Sequence, residues 1–505
     1  MKKISIVLII CLVLCMGMLF VACSPSFGPV GDKSFMGEKA INNGSLVVQQ
    51  GDYIYYVNGM DSTSTISKPA DNAFGKASVK GSIMKSRINK TTGELSETAV
   101  VVPKMFYTSA SNGGFYIYGE WIYYMSPNTK TDNKSNVLSS QSVAFRTMID
   151  GTKTQEIATI SSNSTQYIFT DKALIYYENN TLKKVSYTNS KVNKKAENIV
   201  SDVDSVLFTA KSDVIFFVKS TAASDRQNNN LYAYVNGAIK EITNDTTFDS
   251  DDLTNVNKFK KQYTFALLAY DIDTKTLFYT KVSNDQASNK KTSTYAYTFD
   301  DNFTFEPANE LRYSISSLTG SSIKYLGADK GILYTDGADL KIYKPISETA
   351  NKDNTEDYVT LKSSVEIVKI DGDDIYYIAS NTLYKKNVEE KVEQQLSKDA
   401  ISTSWLPRSL MGNYLYYIDN NYNYMYRIDI TSYNFDDHKE EFAEGSIVSG
   451  TRKATITKND NGNIVIKYVK DDVNEDGVKY YQIPKFMTSS DAQKYAEAIY
   501  EEEEE

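Results

Sequence analysis

The sequence predicts an all-β chain folded as a single β-propeller. Three observations carry that expectation. A short aromatic stretch recurs eight times along the chain, each copy has the length and composition of a strand, and a second strand-like element follows most copies. The stretch is seen best in Gly51-Asp52-Tyr53-Ile54-Tyr55-Tyr56, Gly119-Glu120-Trp121-Ile122-Tyr123-Tyr124 and Gly412-Asn413-Tyr414-Leu415-Tyr416-Tyr417. Shorter or drifted copies are Leu174-Ile175-Tyr176-Tyr177, Val214-Ile215-Phe216-Phe217, Thr276-Leu277-Phe278-Tyr279, Gly331-Ile332-Leu333-Tyr334 and Asp374-Ile375-Tyr376-Tyr377.

The central apolar positions, from Ile54 to Leu415, are 68, 53, 40, 62, 55, 43 and 40 residues apart. Repeats of roughly 40–50 residues mark propeller blades or helical arrays. The helical option fails, because the copies are short, rich in aromatic and β-branched residues, and opened by Gly, Asp or Asn. Helices would instead need apolar residues three and four apart over ten or more positions. Successive residues of a strand face opposite sides of its sheet. In Ile-Tyr-Tyr both sides are therefore large and largely apolar, as expected of a blade sandwiched between two neighbours.

The second element reads Met84-Lys85-Ser86-Arg87-Ile88, Phe145-Arg146-Thr147-Met148 and Leu182-Lys183-Lys184-Val185 in the first three repeats. Later versions include Leu231-Tyr232-Ala233-Tyr234, Leu383-Tyr384-Lys385-Lys386 and Met425-Tyr426-Arg427-Ile428-Asp429. This is the next strand outward, expected to be half exposed. A short inner strand, such as Gly114 to Tyr118, precedes each copy, and a short outer strand, such as Lys240 to Thr243, completes it. Four antiparallel strands per unit and eight copies predict eight blades, with seven as the alternative count.

An aromatic strand followed by a Leu-Tyr-Arg-Ile-Asp-Gly-like strand resembles a family of bacterial surface proteins. Their β-propeller is similar to that of low-density-lipoprotein-receptor-related proteins, and the family is a domain of unknown function. The resemblance covers roughly residues 45–445. It departs from the pattern in repeats 4 to 6, where Tyr-Tyr becomes Phe-Phe, Phe-Tyr or Leu-Tyr. The resemblance implies a binding or scaffolding role, and it brings no catalytic residues.

In chain order, residues 1–22 have the layout of a signal peptide, with Lys2 and Lys3 ahead of an apolar run from Ile4 to Ala22. Leu19-Phe20-Val21-Ala22-Cys23 resembles a bacterial lipoprotein cleavage box, so Cys23 is the expected lipidation site, carrying palmitate or a similar acyl chain. The competing reading is an uncleaved transmembrane anchor; both place the body outside the cytoplasm. Residues 23–44, with Pro25, Gly28, Pro29, Gly31 and Gly44, read as a flexible tether. The propeller then spans residues 45–445. Residues 446–505 form a C-terminal extension, a β-hairpin around Asn459-Asp460-Asn461-Gly462, a further strand at 478–483, a helix from Ala492 to about Glu501, and an acidic tail.

Cys11, Cys15 and Cys23 are the only cysteines, so cleavage leaves no disulfide framework and the fold rests on core burial by 39 Tyr, 21 Phe and two Trp. The net charge is −9, and −11 once the two signal lysines are removed, which disfavours nucleic acid as a partner.

The connections differ more than the strands. Long insertions at 59–81, 127–141, 220–230, 244–261 and 282–293 all follow a second strand or join two blades. Strand alternation puts them on one face, and function collects in such loops. They are rich in Ser, Thr, Asn, Asp and Lys, which suits a polar ligand. These five segments are the predicted binding face, and an insertion at 345–354 lies on the opposite side.

The candidates for chemistry are few. His438 is the only histidine and lies in the polar run Asp436 to Glu440, where a solvated surface position is the expected role. Asp472, Asn474 and Asp476 with Gly477 match the first half of a calcium loop, but position 12 is Ile483 rather than the bidentate Glu. Calcium is therefore not favoured, and no other cofactor or metal is expected. The sequence thus predicts a non-catalytic, lipid-anchored, extracytoplasmic propeller that binds a protein or a cell-envelope polymer. The alternative is a propeller enzyme acting on surface glycans through paired carboxylates.

Overall fold

A computed structural model describes Glu38–Gln482, except residues 59–81, 92, 94, 103–104, 106–113, 128–140, 152, 163–164, 210–211, 224–225, 244–262, 284–292, 307–308, 314–322, 329, 337–338, 344–357, 372, 389–392, 397–407, 413, 419–423, 430–438, 445–452, 459–463 and 470–478. The described residues form eight four-stranded antiparallel sheets and one three-stranded sheet. Each four-stranded sheet takes its strands in consecutive order, so the chain steps outward from an inner edge four times and then begins again. The sheets are numbered here in chain order; their second strands are Tyr53–Asn58, Trp121–Pro127, Ala173–Glu178, Ile215–Ala223, Thr276–Ser283, Gly331–Asp336, Asp374–Ala379 and Tyr414–Ile418. These are the eight Ile-Tyr-Tyr copies, one per sheet.

The ring closes. Sheet 8 packs back onto sheet 1, where its third and outer strands, Tyr424–Asp429 and Lys439–Glu444, meet Tyr53–Asn58. The closure is tight: Gly93, in the turn after the third strand of sheet 1, has φ of 71°, and a Cβ there would sit 2.0 Å from the Tyr414 hydroxyl of sheet 8. A side chain there would have to displace the tyrosine and adopt a strained backbone, so the join favours glycine.

The second strands hold the core. In sheet 1, Tyr53, Ile54, Tyr55, Tyr56 and Val57 are all buried, and in sheet 2 so are Trp121, Ile122, Tyr123, Tyr124 and Met125. Both faces of each strand are covered, as the Ile-Tyr-Tyr pattern requires. Apolar clusters then run between neighbours: one joins sheets 2, 3 and the start of 4, another joins 4 to 5, and others join 5 to 6 and 6 to 7.

Several phenols of these strands find acceptors or donors close by, while those of Tyr116 and Tyr313 are buried without one among the described residues. The Tyr124 hydroxyl lies 3.0 Å from Thr147 Oγ1, Tyr177 donates to Val203 O at 2.8 Å, Tyr279 to Glu310, and Tyr377 to Glu393. Each bond removes the desolvation penalty of a polar atom in an apolar layer.

The expected half exposure of the third strands holds in sheets 3 and 7, at Thr181–Ser186 and Thr382–Asn387, but elsewhere Lys85, Ser86, Arg146, Thr147 and Arg427 are buried. The C-terminal hairpin has its strands at Lys453–Lys458 and Ile464–Val469, with Lys479–Gln482 as the third. That third strand lies against the outer strand of sheet 8. The predicted helix at 492–501 lies outside the described residues. Among the described residues, no helix is long and apolar enough to cross a membrane.

Candidate binding face

Alternating strand direction sorts the connections onto two faces. Turns from first to second strand and from third to outer strand open on one, here the tight-turn face. Connections from second to third strand, and from one sheet to the next, open on the other, the loop face.

On the loop face, sheets 4 and 5 are built up. The second strand of sheet 4 runs nine residues to Ala223 and pairs with a ten-residue third strand, Arg226–Val235. Their register is continuous from Ile215↔Tyr234 to Ala223↔Arg226. In sheet 5 the inner strand Tyr263–Asp271 and the second strand Thr276–Ser283 pair out to Tyr263↔Ser283. The same turn in sheet 3 is only Asn179-Asn180, both with positive φ. The extended strands of sheets 4 and 5 also touch each other, with Arg226–Val235 against Tyr263–Asp271. The result is a two-sheet wall standing on the loop face.

This corrects one predicted segment. Residues 220–230 were read as a loop insertion, but Ser220–Ala223 and Arg226–Asn230 are paired strand. The composition Ser-Thr-Ala-Ala and Gln-Asn-Asn-Asn gave no strand signal; the ladder is propagated from the apolar pairs below it. Segment 127–141 begins with Pro127, the last residue of its strand, and 282–293 begins and ends in strands at Val282, Ser283 and Ser293. Segments 59–81 and 244–261 lie outside the described residues, as do the middles of 127–141 and 282–293. So do Cys23, His438, Asp472, Asn474 and Asp476.

A second feature escaped sequence reasoning altogether. The third-strand residue facing the first tyrosine of each Ile-Tyr-Tyr copy follows a rule. Tyr55 faces Lys85, Tyr123 faces Arg146, Tyr176 faces Lys183, Tyr376 faces Lys385 and Tyr416 faces Arg427. Where the tyrosine is absent, so is the cation: Phe216 faces Ala233, Phe278 faces Ala296 and Leu333 faces Ile342. In sheets 1, 2 and 8 the cation lies over an aromatic ring two residues before the tyrosine. Lys85 Nζ is 4.1 Å from the Tyr53 ring centroid, Arg146 Cζ 4.2 Å from Trp121 and Arg427 Cζ 4.3 Å from Tyr414. In sheets 3 and 7 the cation meets a carboxylate instead, Lys183 to Glu178 at 2.9 Å and Lys385 to Asp374 at 2.7 Å.

Arg146 shows how such a cation is held. Its Nε donates to Gln155 Oε1 at 2.8 Å and Nη1 to Thr188 O at 2.6 Å, which ties sheet 2 to sheet 3. Burial raises the Tyr123 pKa, and the hydrogen bond and charge of Arg146 oppose the rise. Burial also pushes the Tyr124 phenol up to about 12.

Among the described residues, four carboxylates are shifted, and all downward. Asp374 is lowered first by its hydrogen bond with Lys385, and Asp300 first by the backbone N–H of Thr304. Burial raises Glu178 and Glu393, but hydrogen bonds from Ser161 and Lys183, and from Tyr377 and Lys362, outweigh it. No group of three or more metal-ligating side chains occurs among the described residues.

The chain's start is the third feature. Residues 38–44 were read as the end of a flexible tether, but they are docked along the inner edges of sheets 1 and 2. Ile41 exchanges backbone hydrogen bonds with Gln49, at 2.8 and 3.1 Å. Asn43 behaves as a strand residue through its side chain, accepting from Ile117 N at 2.8 Å and donating to Ile117 O at 3.1 Å. Gly44 N donates to Phe115 O, and Phe115 N to Ser45 O. A Cβ on Gly114 would lie 2.3 Å from Ser45 O, so a glycine is needed for this approach. The strap satisfies backbone groups that an inner strand's free edge would otherwise expose.

Comparison with known proteins leaves the chain without a family. No protein-family profile matches it, so the resemblance drawn from the repeat is not carried by one, and no curated protein matches it. Solved structures do align with it. AztD from Citrobacter koseri is 9% identical, with 78% of this chain and 95% of that one covered and a TM-score of 0.33. The β-propeller domain of the trilobed protease from Pyrococcus furiosus is 8% identical over 77% and 92%, with a TM-score of 0.31. Dipeptidyl peptidase 4 from Porphyromonas gingivalis is 9% identical over 86% and 64%, with a TM-score of 0.35. At these identities and scores the matches carry no functional argument, and the propeller architecture stands on the sheet order and the ring closure.

Proposed function

We propose that this chain is a lipid-anchored, extracytoplasmic propeller that binds a protein or a cell-envelope polymer without catalysis, on its loop face. The observation that carries the reading is the wall of sheets 4 and 5, where strands grow beyond the length their core needs. Edge strands and a paired platform offer backbone and amide groups to a polar partner. Cys23 is the proposed acylation site, which puts the body on the outer side of the cell membrane.

The test deletes Thr221–Asn228 and closes the hairpin with Asn-Gly, a two-residue turn suited to it. Parent and trimmed protein are used to capture cell-envelope components. The trimmed protein is expected to keep its thermal midpoint within a few degrees and to lose the parent's partner. Equal capture by both would move the site off the wall. For the anchor, Cys23→Ala is expected to abolish incorporation of a fatty-acid analogue; labelling that persists in the mutant removes the acylation reading.

A further inference from the structure

We infer that the strap at residues 38–44 sets which face of the propeller looks at the membrane: the tight-turn face lies on the membrane side and the loop face points away. This rests on the proposed acylation at Cys23 and adds an orientation to it.

The direction follows from register. The inner strand of sheet 1, Val47–Gln50, starts at the loop face and ends at the tight-turn face. Ile41 pairs antiparallel with Gln49, so the preceding chain runs back past the end of that strand. The hairpin between them, with Asn42 at φ 70° and Gly44 at φ 78°, lies at the loop-face end. Glu38 lies at the other. Gln50 Nε2 donates both to Glu38 O at 3.2 Å and to Gly119 O at 3.0 Å, and Gly119 belongs to the first-to-second turn of sheet 2. Upstream of Glu38 the chain therefore departs from the tight-turn face, beside the inner edges of sheets 1 and 2.

From Cys23 to Glu38 is fifteen residues, a reach of at most about 50 Å. The point at which the chain leaves the propeller makes the tight-turn face the one nearer the lipid. The tight-turn face is not itself a lipid-binding surface. Its first turns mix acids, among them Asp52, Asp171, Asp273 and Asp373, with Lys172, Lys275 and Lys330, so they present no basic block that would draw anionic headgroups. The tether holds this face toward the bilayer without adhesion, and a partner reaches the loop face from the far side.

The chain carries no cysteine after Cys23, so single-cysteine labels are clean. Lys172→Cys places a dye on an exposed first-to-second turn of sheet 3, where the Lys172 side chain is 85% exposed. Ser201→Cys places one at the exposed loop-face end of the outer strand of the same sheet. A strand of six residues puts the two about 20 Å apart along the propeller axis. The lipidated protein is reconstituted into vesicles bearing headgroup acceptors. Energy transfer from the position 172 label is expected to exceed that from the position 201 label, the latter lying one strand length farther from the acceptors. Equal or reversed transfer overturns the orientation. Failure of the protein to join vesicles speaks against acylation alone. The same labels are then read on a chain whose residues 1–23 are replaced by hexahistidine and captured on nickel-chelating lipid, where the same inequality is expected and its absence overturns the inference.

Discussion

The two arcs of this propeller solve the same packing problem with different chemistry. Sheets 7, 8, 1, 2 and 3 are contiguous around the closed ring, and each places a lysine or arginine opposite a tyrosine. Sheets 4, 5 and 6 place alanine or isoleucine opposite phenylalanine or leucine. In the first arc a cation fills the site, held by ring faces, carbonyls and carboxylates. In the second, apolar side chains do so: in sheet 4 Phe216 lies 4.9 Å from Tyr270 and 5.6 Å from Phe299, and in sheet 6 Leu333 and Ile342 are aliphatic. The second arc also carries the wall in sheets 4 and 5. Tyrosine and cation come and go together because each answers the other. A phenol and a cation share one polar pocket, whereas a phenylalanine ring leaves a charge with nothing but apolar surface.

The comparison is broken most severely by moving a charge into the wrong arc. Ala233→Lys buries an ammonium against Phe216 in sheet 4, where Val214 stands in place of the ring that the cations of sheets 1, 2 and 8 lie over. An unpaired buried charge costs about 3–5 kcal/mol, and the urea midpoint is expected to fall accordingly. Adding Phe216→Tyr should recover part of that loss. A single mutant as stable as the parent would show that the pairing rule has no energetic basis.

Removing a cation from the first arc comes next. Arg146→Ala takes away the stack on Trp121 and leaves Gln155 and Thr188 O without their donor. Cavity formation and unsatisfied partners together predict a loss of about 2–4 kcal/mol, measured by chemical unfolding. A loss under about 1 kcal/mol, the range of an exposed pair, would mean that desolvation of the guanidinium cancels its contacts.

Much of this architecture was legible in the sequence. The Ile-Tyr-Tyr copies announce two-sided burial, and their number matches the number of four-stranded sheets. The wall was visible only as extra length, because Ser220–Asn230 has no strand propensity and takes its conformation from the ladder below. The cation rule was in plain view as Lys85, Arg146, Lys183, Lys385 and Arg427. Lysine and arginine on an outer strand read as solvated by default, and only the cross-strand register shows which ring each one faces. The strap was hidden for a different reason. Residues 38–44 resemble linker in composition, while their order comes from free edges contributed by Gln49, Phe115 and Ile117, up to about seventy residues away.

The smallest expected effect separates the exposed cations from the buried ones. In sheet 7, Lys385 meets Asp374 near the surface, where both side chains are about one-third exposed. The hydrogen bond lowers the Asp374 pKa and raises that of Lys385. A depressed carboxylate stabilises the fold above its unfolded value, near 4, and loses that contribution as pH falls through the folded value. The raised lysine contributes fully below its unfolded value, near 10.4, and loses its part as pH rises through the folded one. The pair should therefore act between about pH 5 and pH 10, and solvent screening limits it to under about 1 kcal/mol. Urea unfolding at pH 7 and pH 3 is expected to show Asp374→Asn slightly less stable than the parent at pH 7 and level with it at pH 3. A gap that stays constant between the two pH values would show that the charge of Asp374 is not what supports sheet 7, since the Asp374→Asn variant keeps an acceptor for Asn387 Nδ2, which donates to Asp374 Oδ1 at 3.1 Å.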